Sequence, residues 1–149
     1  MSPLEHSTLE KLQAAARAAA DLAYSPYSRF RVGAAVLAGG RIYTGANIEN
    51  ASYGLTVCAE RTALFQAVLA GHTKIDAVAV ACIDAPDAAN PGSLMPCGAC
   101  RQVLAEFCEP STPIHVARVG TLTMAELLPN PFNLRKNVSH RPTANATGD

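Results

Sequence analysis

Apolar and polar positions follow three rhythms along the chain, and each rhythm predicts a different kind of element. From Thr8 to Ala23, the residues Leu9, Leu12, Ala16, Ala19 and Ala23 recur at alternating steps of three and four. That is the spacing of one helix face, in an alanine-rich stretch of high helix propensity. The Ser25-Pro26 step ends it, because proline disfavours helix at the residue before it. Phe30 to Leu37 is then mostly apolar, Gly39-Gly40 follows, and Arg41 to Gly45 resumes with β-branched and aromatic side chains. Two such runs around a glycine pair predict a β-hairpin.

Asn47 to Thr56 is polar and turn-like. Cys58 to Ala70 returns to helical spacing through Ala59, Thr62, Ala63, Gln66, Ala67 and Ala70, with Gly71 as the stop. Ile75 to Ile83 is a nearly continuous run of small apolar residues, the pattern of a strand covered on both faces. Asp84 to Met95 holds Pro86, Asn90, Pro91 and Gly92 and reads as a loop. Pro96 opens a third helix, Cys97 to Phe107, which Glu109-Pro110 ends. Ile114 to Val119 predicts a short strand, and Met124 to Leu128 a short helix stopped by Pro129. Helices interleaved with a hairpin and later strands predict an α/β protein, a mixed β-sheet flanked by helices in three layers. A single catalytic domain is expected over residues 1–132, with 133–149, poor in apolar residues, as a flexible C-terminal tail.

Composition narrows the function. At 149 residues the chain has the size of one domain, and 49% apolar against 16% charged residues argues against disorder. Lys+Arg and Asp+Glu number 12 each, so the formal charge is zero. That balance argues against strong, non-specific binding to nucleic acid or anionic lipid. No apolar run approaches the ~20 residues of a membrane helix, and Met1 to Asp21 lacks the order of a signal peptide, so a soluble, cytoplasmic protein is expected. The five cysteines, an odd number without an export signal, make a poor disulfide framework, so metal binding or catalysis is the better use for some of them.

Two segments carry the candidate chemistry: Cys58-Ala59-Glu60-Arg61-Thr62-Ala63 and Pro96-Cys97-Gly98-Ala99-Cys100-Arg101-Gln102. Each places a cysteine at the start of a predicted helix, where exposed amides and the positive end of the macrodipole favour a thiolate. Cys97 and Cys100, three apart, share a helix face. With Cys58 they can supply three sulfur ligands to one tetrahedral zinc, leaving the fourth position open, as in a catalytic rather than a structural site. Glu60 is the only carboxylate in either segment. It is the candidate catalytic residue, able to take a proton from water at the metal and pass it on. Three thiolates on Zn²⁺ leave a net negative cluster that needs a cation, and Arg61, one turn after Cys58, is the expected partner. Arg101 adjoins Cys100 and should point elsewhere.

The Cys-x-Glu…Pro-Cys-x-x-Cys pattern belongs to the zinc-dependent nucleobase deaminases. With Ser25-Pro26-Tyr27-Ser28-Arg29-Phe30 and Asn47-Ile48-Glu49 it resembles, from about Tyr24 to Phe132, the small homotetrameric cytidine deaminases that bind zinc through three cysteines. The resemblance implies deamination of cytidine and 2′-deoxycytidine in pyrimidine salvage, with one zinc per subunit. It implies that Asn47 and Glu49 hold the ribose hydroxyls, that Phe30 flanks the pyrimidine, and that the Ala59 amide binds the base. It also implies sites completed across subunits, with Tyr53 and Phe132 reaching a neighbour's site. An amide and a carboxylate two residues apart offer the donor and acceptor that a vicinal diol can use.

Blander readings compete. A structural zinc site usually shows four ligands, often two Cys-x-x-Cys pairs, and here there is one pair. Asn47 and Glu49 could be turn residues. Tyr24 and Tyr27 read as core or interface aromatics, and Cys82 and Cys108 as small buried hydrophobes. Rival functions are deamination of another nucleoside, such as an antibiotic of the blasticidin S type, and a non-catalytic zinc module. The neutral charge and lack of basic tracts weigh against a polynucleotide substrate.

Overall fold

Successive residues of a strand point to opposite faces of a sheet, and here both faces are apolar. In the computed structural model, which describes residues 4–134, helix α1 spans His6–Ala20. It is followed by the hairpin β1 (Val32–Ala38) and β2 (Arg41–Ala46), then by α2 (Ala59–Leu69) and β3 (Ala77–Cys82). Helix α3 (Gly98–Phe107), strands β4 (Pro113–Val116) and β5 (Gly120–Thr123) and helix α4 (Met124–Leu127) complete the described chain. The strands form one sheet in the order β2-β1-β3-β4-β5. The pairing is antiparallel except between β3 and β4, which are parallel and joined through α3.

Alternation sorts the core into two clusters. Ala34, Val36, Ala38, Val78 and Val80 face Ala63, Leu64, Ala67 and Leu104 of α2 and α3, whereas Ala35, Ala77, Ala79 and Ala81 face Leu12 and Ala16 of α1. The result is three layers, α1 on one face and α2 with α3 on the other. Small side chains let the layers approach closely, and two glycines fix the closest points. A Cβ on Gly33 would stand 1.9 Å from the Ala16 carbonyl oxygen of α1, and one on Gly45 would stand 2.2 Å from the Ala63 nitrogen of α2. Both distances are far inside van der Waals contact, so any side chain there would push a helix off the sheet. Among the described residues, no helix is long and apolar enough to cross a membrane.

The elements expected from the sequence form within a few residues of their expected ends, with three differences. Cys58 and Cys97 cap α2 and α3 rather than opening them, with extended backbone at φ −71° and −67°. The loop after β3 contains a 3-10 turn, Pro91–Leu94. The run Ile114 to Val119 is not one strand: β4 stops at Val116 and turns back into β5. That turn places Arg118 at φ 71°, a left-handed conformation that a glycine or asparagine would have advertised and an arginine does not. The expected tail past Asn133 falls almost wholly outside the described residues.

Candidate active site

Two helix N-termini converge on one point. The sulfurs of Cys58, before α2, and of Cys97 and Cys100, before and within the first turn of α3, all lie within 4.8 Å of one another. Cys58 Sγ and Cys97 Sγ are 3.8 Å apart, and Cys97 Sγ and Cys100 Sγ are 3.5 Å apart. Three thiolates at about 2.3 Å from a tetrahedral zinc would be separated by roughly 3.8 Å, close to the 3.8 and 3.5 Å found here. It is a set of three ligands, not four, as a site that leaves one coordination position open requires.

Charge around the trio is asymmetric. Arg61 Nη2 donates to Cys58 Sγ at 3.4 Å. Hydrogen bonding from Cys100, together with Arg61 and Cys97, lowers the Cys58 thiol to about 5 against the opposing effect of burial. Cys100, fully buried, is pushed the opposite way by its neighbour Cys58 and by burial. Arg61 Nε is buried and has no hydrogen-bond partner among the described residues, while Nη2 of the same guanidinium faces Cys58. Arg101 is employed elsewhere: it donates to the carbonyls of Pro96 at 2.8 Å and Leu127 at 2.7 Å, tying the start of α3 to α4.

Glu60, on the first turn of α2, is only 4% exposed. Burial raises its carboxyl above the usual range, and the negative charge of Cys58 adds to the effect. A carboxyl displaced toward neutrality beside a metal-binding cluster is the arrangement expected of a group that both accepts and donates protons. Ala59, fully buried, lies in the first turn of α2, where an N–H has no intrahelical partner.

A second centre lies on the connection between β2 and α2. Glu49 lines a cleft of about 370 Å³ together with Tyr27, Ser28, Tyr53 and Thr56. Its Oε1 accepts from the backbone N–H groups of Tyr27 at 3.0 Å and Ser28 at 3.1 Å, and its Oε2 from Ser28 Oγ at 2.5 Å. These bonds, Ser28 Oγ foremost, hold the Glu49 carboxyl below its ordinary range. Asn47 is buried; its Nδ2 donates to the Phe30 carbonyl at 2.8 Å and its Oδ1 accepts from Val32 N at 2.8 Å.

The description of the cytidine and deoxycytidylate deaminase zinc-binding region matches residues 6–116, an interval that contains the sulfur trio, Glu60, Asn47 and Glu49. The chain belongs to the cytidine and deoxycytidylate deaminase family. A cytidine deaminase of Sporosarcina psychrophila is 48% identical over 130 residues, covering 84% of this chain and 91% of that protein. One of Halalkalibacterium halodurans is 50% identical over 115 residues, 74% of this chain and 83% of that one. The crystal structure of cytidine deaminase from Burkholderia pseudomallei aligns with a TM-score of 0.73 at 40% identity, covering 87% of this chain and 100% of that one. The cytidine deaminase of Mycobacterium tuberculosis aligns at 0.72 and 41% identity, over 85% of this chain and 98% of that one.

In this member of the deaminase family the fold gathers some expected residues and separates others. Cys58, Cys97, Cys100, Glu60 and Arg61 form one cluster. Glu49 and Tyr53 share a cleft lined by neither Glu60 nor the cysteines. Tyr53, expected in a neighbour's site, stands beside Glu49 of its own chain, edge-on to Tyr27 at 6.1 Å, and is 75% exposed. Phe132 is exposed, its carbonyl accepting from Gln102 Nε2 of α3 at 3.1 Å. Tyr24 and Tyr27, expected in the core or at an interface, are about half exposed: the turn between α1 and β1 carries them out of the core of this chain, which leaves the interface alternative. One expectation needs correction. Cys82, at the end of β3, is only part-buried. The sequence does not mark Ser28 and the Tyr27 backbone, which grip Glu49, as site residues, because their partner lies 21 residues on from Ser28.

Proposed function

We propose that the protein catalyses hydrolytic deamination of cytidine to uridine and ammonia, with 2′-deoxycytidine as a second substrate and pyrimidine salvage as its role. The observation that carries the proposal is the buried Glu60 two residues after Cys58, at the edge of three sulfurs spaced for one zinc. The names of the relatives at 43–50% identity support it.

Cys58, Cys97 and Cys100 are the residues that would hold zinc, which supplies the Lewis acidity that makes water a nucleophile at neutral pH. Glu60 moves the protons. A carboxylate oxygen takes one from the water that attacks C4 and gives it to N3 of the pyrimidine. It then takes the proton of the new C4 hydroxyl and delivers it to the amine, which leaves as ammonia when the C4–N bond breaks and the C4 carbonyl forms. Its displacement toward neutrality suits a group that must act first as base and then as acid. Arg61 offsets the thiolate charge at Cys58. Ala59 N–H binds the base and Phe30 flanks the ring. Glu49 accepts from a ribose hydroxyl while the second Asn47 Nδ2–H is left to donate.

The domain spans residues 1–132 and acts in the cytoplasm on a small nucleoside, without nucleic-acid or membrane partners. The assembly is a homotetramer whose sites are completed by neighbouring subunits through Tyr53 and Phe132, a reading supported by their 75% and 71% exposure. The test is incubation of purified protein with cytidine, 2′-deoxycytidine, adenosine and CMP, with and without chelator, following ultraviolet absorbance. Chelator-sensitive loss of cytidine absorbance is expected, and a zinc-replete protein that leaves cytidine unchanged overturns the proposal.

A further inference from the structure

Glu49 is held so that one acceptor position remains. A carboxylate offers about four lone-pair sites. Tyr27 N and Ser28 N fill both on Oε1, and Ser28 Oγ fills one on Oε2. The direction of the hydroxyl proton is itself determined. Ser28 Oγ accepts from Phe30 N at 3.0 Å, so its single proton is free to point at Glu49. Arg29, between the two, takes φ 55°, a left-handed bend that brings Ser28 Oγ and Phe30 N together. The Phe30 carbonyl is bound in turn by Asn47 Nδ2 at 2.8 Å. The Tyr24 backbone closes the ring, with Tyr24 N donating to the Asn47 carbonyl at 3.0 Å and Glu49 N to the Tyr24 carbonyl at 2.8 Å.

We infer that Ser28 is a positioning residue for sugar recognition: its hydroxyl orients Glu49 Oε2, leaving one lone pair for a ribose hydroxyl, and ties that carboxylate to Phe30. The inference rests on the ribose role proposed for Glu49. Ser28 touches no reacting atom in this scheme. Its removal should therefore weaken recognition of the hydroxylated sugar and leave the chemical step intact. The two backbone donors remain in Ser28→Ala, so the carboxylate stays in place but loses the bond that fixes Oε2.

The test compares KM and kcat for cytidine with the inhibition constant of 2′,3′-dideoxycytidine, which lacks both ring hydroxyls. Ser28→Ala should raise KM for cytidine about tenfold, as expected for one hydrogen bond to a charged group. It should leave kcat within about twofold and the dideoxynucleoside constant unchanged. Ser28→Thr, which keeps the hydroxyl, should restore KM. Equal weakening of both nucleosides by Ser28→Ala, no weakening of either, or failure of Ser28→Thr to restore binding overturns the inference. Glu49→Gln separates this failure from that of the underlying reading. If Glu49→Gln abolishes discrimination between the nucleosides and Ser28→Ala does not alter it, only the role of Ser28 is lost. If Glu49→Gln leaves discrimination intact, the ribose role of Glu49 is wrong and the inference falls with it.

Discussion

Ile48 and Val57 exchange both of their backbone hydrogen bonds, each at 2.9 Å, in an isolated antiparallel bridge. Continuing that register by one residue in each direction sets Asn47 opposite Cys58 and Glu49 opposite Thr56. Glu49 and Thr56, on one side of the bridge, line the same cleft, and Asn47 and Cys58 follow on the other. One two-residue bridge thus ties the candidate sugar-binding segment to Cys58 of the sulfur trio. It makes their separation a property of the backbone rather than of flexible side chains.

Removing zinc should abolish turnover and lower stability together. An ion bound only by the folded chain stabilises it by mass action. Dialysis against a strong chelator should lower the melting temperature and eliminate activity, and added zinc should restore both. Cys100→Ala should lose zinc by elemental analysis even though Cys58 and Cys97 remain.

Glu60→Gln should retain zinc at the wild-type ratio and lose kcat by about 10²–10⁴-fold, the range for a positioned acid–base group. Metal content and steady-state kinetics on the same preparation decide this, and a variant of near-normal kcat would remove Glu60 from the mechanism.

Arg61→Gln should weaken zinc retention by roughly tenfold or more, as loss of a group that supports a metal ligand does. The cation that lowers the Cys58 thiol is gone, so zinc should be released at a higher pH during acid titration than in the wild type. A competition titration with a chromogenic chelator across pH reads both effects.

Acid stability should depend on Asp84. Arg31 donates to both Asp84 carboxylate oxygens at 2.8 Å, and this pair lowers the Asp84 carboxyl from 3.8 to about 2. A carboxyl lowered by folding contributes stability that is present above its unfolded pKa and lost as the pH falls through the folded one. The melting temperature of Asp84→Asn should therefore lie below that of the wild type at pH 6, and the gap should close between about pH 4 and pH 2.

Gly33→Ala should destabilise the fold by about 3 kcal/mol, at the upper end of overpacking costs. The added methyl has no room against the α1 backbone. For a chain of this size that is a fall of roughly 6–12 °C in melting temperature, measured by calorimetry.

The cysteine spacing, the glutamate two residues after the first cysteine and the switching periodicities are local facts. The sequence alone therefore determined the candidate metal ligands, the acid–base candidate and the α/β class. The absence of polar positions in the Ala-Val run also marks β3 as covered on both faces, because such a run leaves no face for water. Tertiary structure decided what depends on distant partners. The grip of Ser28 on Glu49 spans 21 residues, and the split of Ile114 to Val119 into β4 and a turn depends on Arg118 accepting a left-handed backbone. The outward placement of Tyr24 and Tyr27 likewise follows from where the chain leaves α1, not from their aromatic character. Spacing within one helix is set by its 3.6-residue period, but contacts between segments are set by packing and register, which no short motif encodes.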